Sequence, residues 1–257
     1  MQKVTATVIT LNEEANLEGA LRSVAWVDEI VVVDSGSTDA TVAIARRYAA
    51  RVETRAWDGY SALKHYAASI ASNDWILSID ADERVPPDLA AEIRGLLDAG
   101  PDRRGYRMPR VTWYLGRWIR GTDWYPDYQL RLYDRRAGEW NGRRVHESVA
   151  LGEPAGRLRH DLHHYAYRDV AHHLATIDRY TTLAAEQWRS EGRRVSVGAL
   201  LVHPAAAFVR NYVLRRGFTQ GTPGLIVSIL NSYYVFLKLA KLYERSRASH
   251  PAPPAAV

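Results

Sequence analysis

Cysteine is absent from the 257 residues, which excludes a disulfide framework and any Cys-ligated zinc site without indicating a compartment. Phenylalanine is scarce, three against fifteen tyrosines and eight tryptophans. The aromatic groups are therefore mostly ones with a polar handle, suited to sugar stacking and membrane interfaces as well as to cores. Met1-Gln2-Lys3 leads straight into strand-like residues without the apolar run of a secretory signal, so the catalytic part is expected to stay cytoplasmic. No internal repeat is visible. What remains is ordinary for a globular chain, 47% hydrophobic and 25% charged, and is long enough to bury a sizeable core. The formal charge of +5 permits contact with anionic lipid or phosphorylated substrates. Nucleic acid is set aside, because the basic and aromatic residues form no recognised binding module.

The chain turns on Asn73-Asp74-Trp75-Ile76-Leu77-Ser78-Ile79-Asp80-Ala81-Asp82-Glu83, where an apolar run ends in clustered carboxylates. Ile76, Leu77 and Ile79 suit a strand buried on both faces, and Pro86-Pro87 ends the run. An Asp-x-Asp at such a strand end suits Mg²⁺ or Mn²⁺ shared with substrate phosphates. Taken alone, it reads rather as an ordinary solvated turn, and its neighbours are what shift the reading.

Around this stretch, strands and helices alternate. Val4 to Thr10, Glu29 to Asp34, Arg51 to Thr54 and Asp74 to Glu83 read as strands. Helices are expected from Asn12 (as N-cap), from Ala40, from Tyr60 to Ala71, and from Pro87 through Leu97. This order predicts an α/β, Rossmann-like, mostly parallel sheet with Thr10, Asp34 and Asp80 at its C-terminal edge, where ligands bind. From Gly105 short aromatic strands (Tyr106 to Val111, Trp113 to Arg120, Gln129 to Tyr133, Arg144 to Ser148) predict an antiparallel extension, and Leu158 to Leu162 reads as strand-like before His164. Amphipathic C-terminal helices follow, Val170 to Glu191, Val197 to Leu214 across Pro204, and Leu225 to Tyr243. The expected division is 1–100 for nucleotide sugar, 101–168 for the acceptor side, 169–247 as a helical membrane-associating region, and 248–257 as a disordered Pro/Ala-rich tail. The apolar run from Leu225 reaches Lys238 after about fourteen residues, short of the roughly 20 that span a bilayer. An interfacial element or a packed helix fits it better.

Several residues carry more than one reading. The Asp34 carboxylate can accept from a ribose hydroxyl or a base N–H while the Ser35-Gly36-Ser37-Thr38-Asp39 turn amides face phosphate. Glu13 sits at a helix start, where dipole complementation alone would explain it. Lys64 can meet a diphosphate or be a solvated charge. Arg131, Arg135, Arg136, Arg143 and Arg144 suit a phosphorylated acceptor or a solvated face. His172-His173 reads as surface. Trp113, Trp118, Trp124 and Trp140 fall in the acceptor-side segment, where one or two can stack on a sugar.

Taken together, Thr10-Leu11-Asn12-Glu13-Glu14, Val33-Asp34-Ser35-Gly36-Ser37-Thr38-Asp39 and Asp80-Ala81-Asp82-Glu83, in order and each after a strand, resemble family 2 glycosyltransferases of GT-A fold. Gly59 to Lys64, Trp124-Tyr125-Pro126-Asp127 with Gln129-Leu130-Arg131-Leu132, Val145-His146-Glu147, His164-Tyr165 and Gly217-Phe218 through Gly224 are similar to the bacterial branch that adds β-linked glucose to the lipopolysaccharide inner core. The resemblance covers residues 3–245. It implies a peripheral enzyme at the cytoplasmic face of the inner membrane, a UDP-sugar donor, a glycolipid acceptor and Mg²⁺ or Mn²⁺. Thr10, Leu11, Glu13 and Asp34 would hold the nucleoside. Lys64, Asp80 and Ala81 would lie along the donor, with Asp82 the direct metal ligand and His164 a further one. Relatives often carry Gln-Lys-Asn where this chain has Leu63-Lys64-His65, which keeps the cation and loses the amides. The general base that relatives supply from an acidic pair falls here to Glu147, with Asp127 next and His146 orienting it or the acceptor. Another nucleotide sugar, a polyprenyl phosphate acceptor and a catalytically inactive membrane scaffold are the rival readings. A nucleotidyltransferase is disfavoured by the absent Gly-rich phosphate loop.

Overall fold

The computed structural model describes residues 2–48, 51–141 and 148–246. Strands β1 (Val4–Thr10), β2 (Glu29–Asp34), β3 (Arg51–Thr54) and β4 (Trp75–Asp80) lie in the order β3-β2-β1-β4, all parallel. The inner strands β1, β2 and β4 are largely buried, which suits their mostly apolar sequences, whereas β3, Arg-Val-Glu-Thr, is a more exposed edge strand. Helices α1 (Leu17–Ser23) and α4 (Pro87–Ala99) bury Leu17, Leu21, Leu89 and Ile93 against Val8, Leu77 and Ile79. Helix α3 (Tyr60–Ser69) buries Leu63 and Ala67 against Ile9, Val31 and Val33 on the other face. Helix α2 (Thr41–Arg47) completes the second crossover.

Beyond β4 the sheet becomes mixed. A two-residue strand β5 (Glu83–Arg84) follows the Ala81-Asp82 turn. Strand β6 (Gly105–Tyr114) continues beyond the expected Val111, and β7 spans only Arg117–Ile119. Strand β8 (Asp127–Asp134) runs antiparallel to both β4 and β6. A hairpin pairs β9 (Gly138–Trp140) with β10 (Val149–Leu151). Residues 158–161 are not strand; β11 is Gly156–Arg157 and β12 is Leu162–His164, so His164 ends a strand rather than following one. The order continues β4-β8-β6-β12-β5, giving the parallel half with an antiparallel extension that GT-A implies.

Helix α1 begins at Leu17 and not at Asn12. Asn12 is left-handed (φ 55°), and its side-chain Oδ1 accepts from the Thr38 amide at 2.8 Å. A short polar side chain tolerates that backbone and ties two loops together.

The chain divides into two units, Met1–Thr112 with Pro126–Ala166, and Trp113–Tyr125 with Tyr167–Val257. In the second, α5 (Val170–Ser190) is N-capped by Asp169, which accepts from the His172 amide at 2.7 Å. Helix α6 (Val197–Val209) is capped by Ser196 and contains Pro204; a π-helical turn, Arg210–Leu214, continues it. Helix α7 runs Gly221–Ser246, 26 residues, longer than its apolar run suggested. Val197–Leu214 and Gly217–Ser246 are long and apolar enough to cross a membrane, by length and composition alone. His173, expected at the surface, is buried: its ring stacks on Tyr167 at 4.0 Å, and Nδ1 lies 3.1 Å from the Tyr114 hydroxyl. Burial pushes its imidazole down to about 4, and the His172 charge adds to the effect.

Candidate active site

The parallel register fixes the site. Thr10 lies opposite Asp34 and Ile9 opposite Asp80, so β1, β2 and β4 end level with one another at the edge where such sheets bind ligands. Asp34 is buried. Its Oδ1 accepts from the Thr10 and Ser37 hydroxyls, and its Oδ2 accepts from the amides of Gly36 and Ser37 at 2.9 Å each. These turn amides therefore point at Asp34, whose carboxylate shapes the loop. Leu11 is exposed on the same rim. Glu13 is half-buried, with its amide bonded to Thr41 and its carboxylate to Asn16 at 3.0 Å. Burial raises its pKa against the Asn16 hydrogen bond, and the carboxylates of Asp82, Asp39 and Asp80 add to the rise.

Asp80 begins a chain of alternating charges. Its Oδ1 meets the Lys64 ammonium at 2.8 Å and its Oδ2 accepts from Arg131 Nη2. The same Nη2 donates to Glu83 Oε1 at 2.7 Å, and Arg110 Nη1 donates to that oxygen at 2.9 Å. Arg110 then grips Asp127 Oδ2 through Nε at 3.0 Å and Nη2 at 2.6 Å, while Gln129 donates to Oδ1 at 2.7 Å. Lys64, Asp80, Arg131, Glu83, Arg110 and Asp127 thus balance, three cations against three anions. Glu83 is fully buried, and its Oε2 accepts from the Asp80 amide at 3.0 Å, closing the Asp80–Glu83 turn. Burial would raise the Asp80 carboxyl, but Arg131 and then Lys64 outweigh it and hold the group well below the usual carboxylate range.

The two aspartates of the motif are consequently different groups. Both Asp80 oxygens are taken by cations. Asp82 Oδ2 instead faces His164 Nε2 at 3.4 Å, and the Asp82 carbonyl accepts from the Tyr165 amide at 2.8 Å. On the far side of the imidazole, Nδ1 lies 3.1 Å from the Thr112 hydroxyl, the kind of contact that orients a ligating ring. His164 is delivered by β12, where it lies opposite Glu83 of β5 and Thr112 of β6. Burial again opposes ionisation of Asp82, and His164 overcomes it to lower the pKa. Ala81 is buried between the two aspartates.

The basic cluster does not form one acceptor patch. Arg131 is inside the charge chain. Arg135 donates to the carbonyls of Ala68 and Ala71 at the end of α3, and Arg136 pairs with Asp134 at 2.7 Å and Asp74 at 3.1 Å. Arg143 and Arg144 lie outside the described residues, as do His146 and Glu147. Of the tryptophans, Trp140 is buried, donating to the Tyr133 hydroxyl at 2.9 Å and lying 5.1 Å from the Lys64 ammonium. Trp124 packs among Tyr114, Tyr167 and His173. Trp113 and Trp118 meet edge to face at 5.1 Å.

Residues 5–151, more than half of the chain, match the family described as Glycosyl transferase family 2. The chain belongs to glycosyl transferase family 2. The lipopolysaccharide core biosynthesis glycosyltransferase LpsC of Rhizobium meliloti (strain 1021) is 31% identical to it over 249 residues, 94% of this chain and 92% of that protein. An uncharacterized glycosyltransferase of Rickettsia felis is also 31% identical, over 95% of this chain and 90% of that protein. The crystal structure of glucosyl-3-phosphoglycerate synthase from Mycobacterium tuberculosis with Mn²⁺, UDP and phosphoglyceric acid is 27% identical over 42% of this chain and 43% of that one, with a TM-score of 0.37.

In this family 2 glycosyltransferase no group of three or more His, Cys, Asp or Glu stands ready to hold a metal among the described residues. Asp82 and His164 are two donors, one carboxylate and one oriented imidazole. They fit a divalent ion that completes its coordination with water and phosphate oxygens.

Proposed function

We propose that the chain is a metal-dependent, inverting glycosyltransferase that moves glucose from UDP-glucose to a lipopolysaccharide-core or related glycolipid acceptor, leaving a β-linked product. It works as a peripheral protein at the cytoplasmic face of the inner membrane. The observation that carries this reading is the division of labour in the Asp80-Ala81-Asp82 turn. One carboxylate is held by Lys64 and Arg131, a cation on each oxygen, and the other lies beside His164, with which it can share an ion. Membership of glycosyl transferase family 2 supports the transfer, and the similarity to LpsC supports the acceptor class.

Asp82 and His164 would hold Mg²⁺ or Mn²⁺, and the charge such an ion supplies would offset that of a UDP leaving group. Thr10 and Asp34 set the loop on which Leu11 and Glu13 receive the nucleoside. Asp80, held rigid, accepts from donor sugar hydroxyls beside Ala81, and Lys64 contributes positive charge at the diphosphate. Glu147 removes the acceptor proton as the hydroxyl attacks the anomeric carbon, with His146 orienting it. Asp127, gripped by Arg110 and Gln129, positions that arginine rather than acting as base.

The test is transfer from UDP-glucose, UDP-galactose or GDP-mannose, each with Mn²⁺ or with chelator, to truncated lipopolysaccharide core or to polyprenyl phosphate, followed by mass spectrometry and anomeric NMR. A β-glucosylated core formed only with metal and with intact Glu147 supports the reading. Transfer to polyprenyl phosphate, transfer from another sugar nucleotide, or no transfer at all replaces it with the corresponding rival.

A further inference from the structure

The second unit carries an apolar face bounded by cations. There is no Lys, Arg, Asp or Glu from Val195 to Val209, nor from Gly217 to Leu237. On α6 and the turn after it, Val197, Leu201, Ala205, Val209 and Val213 recur every fourth residue and are all exposed, with Leu201 73% and Leu214 72% exposed. Such spacing places them along one side of the helix. Helix α7 carries exposed apolar residues of its own at helical spacing, Leu225, Ile229, Tyr233 and Phe236. Cations close both ends. Arg193 and Lys238 both lie over the Trp188 ring, at 4.8 and 4.1 Å, with Arg194 beside them in sequence. Arg210, Arg215 and Arg216 stand at the other end; Arg210 and Arg215 also engage Asp123. Helix α6, Val197–Val209, separates the two groups of cations by about 18 Å at about 1.5 Å per residue.

We infer that this face of α6, extended by the outer stripe of α7, is seated in the headgroup region of an anionic lipid bilayer and lies in the membrane plane. Apolar side chains enter the acyl boundary, and the arginines at both ends reach lipid phosphates. The packing of α7 decides against a spanning arrangement. Its Lys241 pairs with Asp178 at 2.7 Å and its Arg245 with Glu186 at 3.0 Å, so a charged helix, α5, is fastened along it. Carrying α7 through hydrocarbon would take those ion pairs with it. Helix α6, fastened to α7 through Ser232 and the Pro204 carbonyl at 2.8 Å, is left with its outer side open. The inference deepens the glycolipid-acceptor reading and rests on it for the relevance of a membrane, but its test involves no sugar transfer.

The full chain is sedimented with vesicles of phosphatidylethanolamine and phosphatidylglycerol, and with vesicles of phosphatidylcholine alone. Binding to the anionic vesicles is expected to be roughly tenfold or more the stronger, and to weaken with salt. The double variant Leu201→Asp, Leu214→Asp changes only exposed side chains and is expected to melt like the wild type while losing the vesicles. For depth, Leu201→Trp fluorescence is read against lipids brominated near the headgroup or near the acyl terminus; the in-plane seat predicts strong quenching by the first only. Wild type that ignores both vesicle types, equal binding to both, a double variant that melts like wild type and still binds, or equal quenching at both depths overturns the inference.

Discussion

Replacing Asp80 and Asp82 separately by asparagine tests whether the motif holds one structural and one ligating carboxylate. Asp80→Asn removes the anion shared by Lys64 and Arg131, which are 3% and 5% exposed. Stripping one partner from a buried ion pair costs about 3–5 kcal/mol. Arg131 keeps Glu83, and the Asp80 side chain is 30% exposed, so solvent screening brings the expected loss to about 2–3 kcal/mol. For a chain of this length that lowers Tm by roughly 5–10 °C. Asp82→Asn disturbs one contact, at 3.4 Å to a histidine, and is expected to shift Tm by about 2 °C or less. The assay is a calorimetric melt of both variants without nucleotide or metal. Equal stability losses, or a larger one for Asp82→Asn, would refute the division of roles.

His173 and Gly224 give two further expectations. Because the His173 pKa is held near 4 in the fold against 6.5 for the free side chain, the unfolded chain binds a proton that the folded chain refuses. The contribution is complete above pH 6.5 and is lost as pH falls towards 4, at about 1.4 kcal/mol per unit at most. His173→Phe should flatten stability against pH in that window; an unchanged slope in urea melts would sink the assignment. At Gly224 an added Cβ would sit 2.1 Å from the Gly217 carbonyl oxygen, a backbone atom. Gly224→Ala is therefore expected to cost about 1–3 kcal/mol despite the better helix propensity of alanine, and a raised Tm would contradict the close approach.

The parallel half was legible because β2 and β4 are short apolar runs ending in carboxylates and helical patterns separate the strands, and β2 and β3 begin and end where the sequence pattern places them. The resemblance names Asp82 and His164 as metal ligands, and the structure sets them 3.4 Å apart, with His164 on a strand that begins at Leu162 rather than Leu158. The charge chain was not read. Arg131 alternates with Leu130 and Leu132, and an arginine opposite two leucines is usually on the water side of a strand. Here both faces of β8 are covered. A signal was present: Asp127, Gln129 and Arg131 occupy alternate positions and so share one face, an acceptor and donors aligned towards the Asp80 turn. Glu83 and Arg110 depend on the pairing of β5 and β6 with β12, which no local pattern discloses. The buried His173 was missed because its partners, Tyr114 and Trp124, are far away in sequence.

The most direct test of the central claim is titration calorimetry of UDP into the wild-type chain and into Asp82→Asn and His164→Ala, each with Mn²⁺ and with chelator. The account predicts that Mn²⁺ tightens UDP binding to the wild type by at least about tenfold, equivalent to about 1.4 kcal/mol, and that both variants lose this metal-dependent gain while remaining folded. The same Mn²⁺ gain in Asp82→Asn as in the wild type would contradict it.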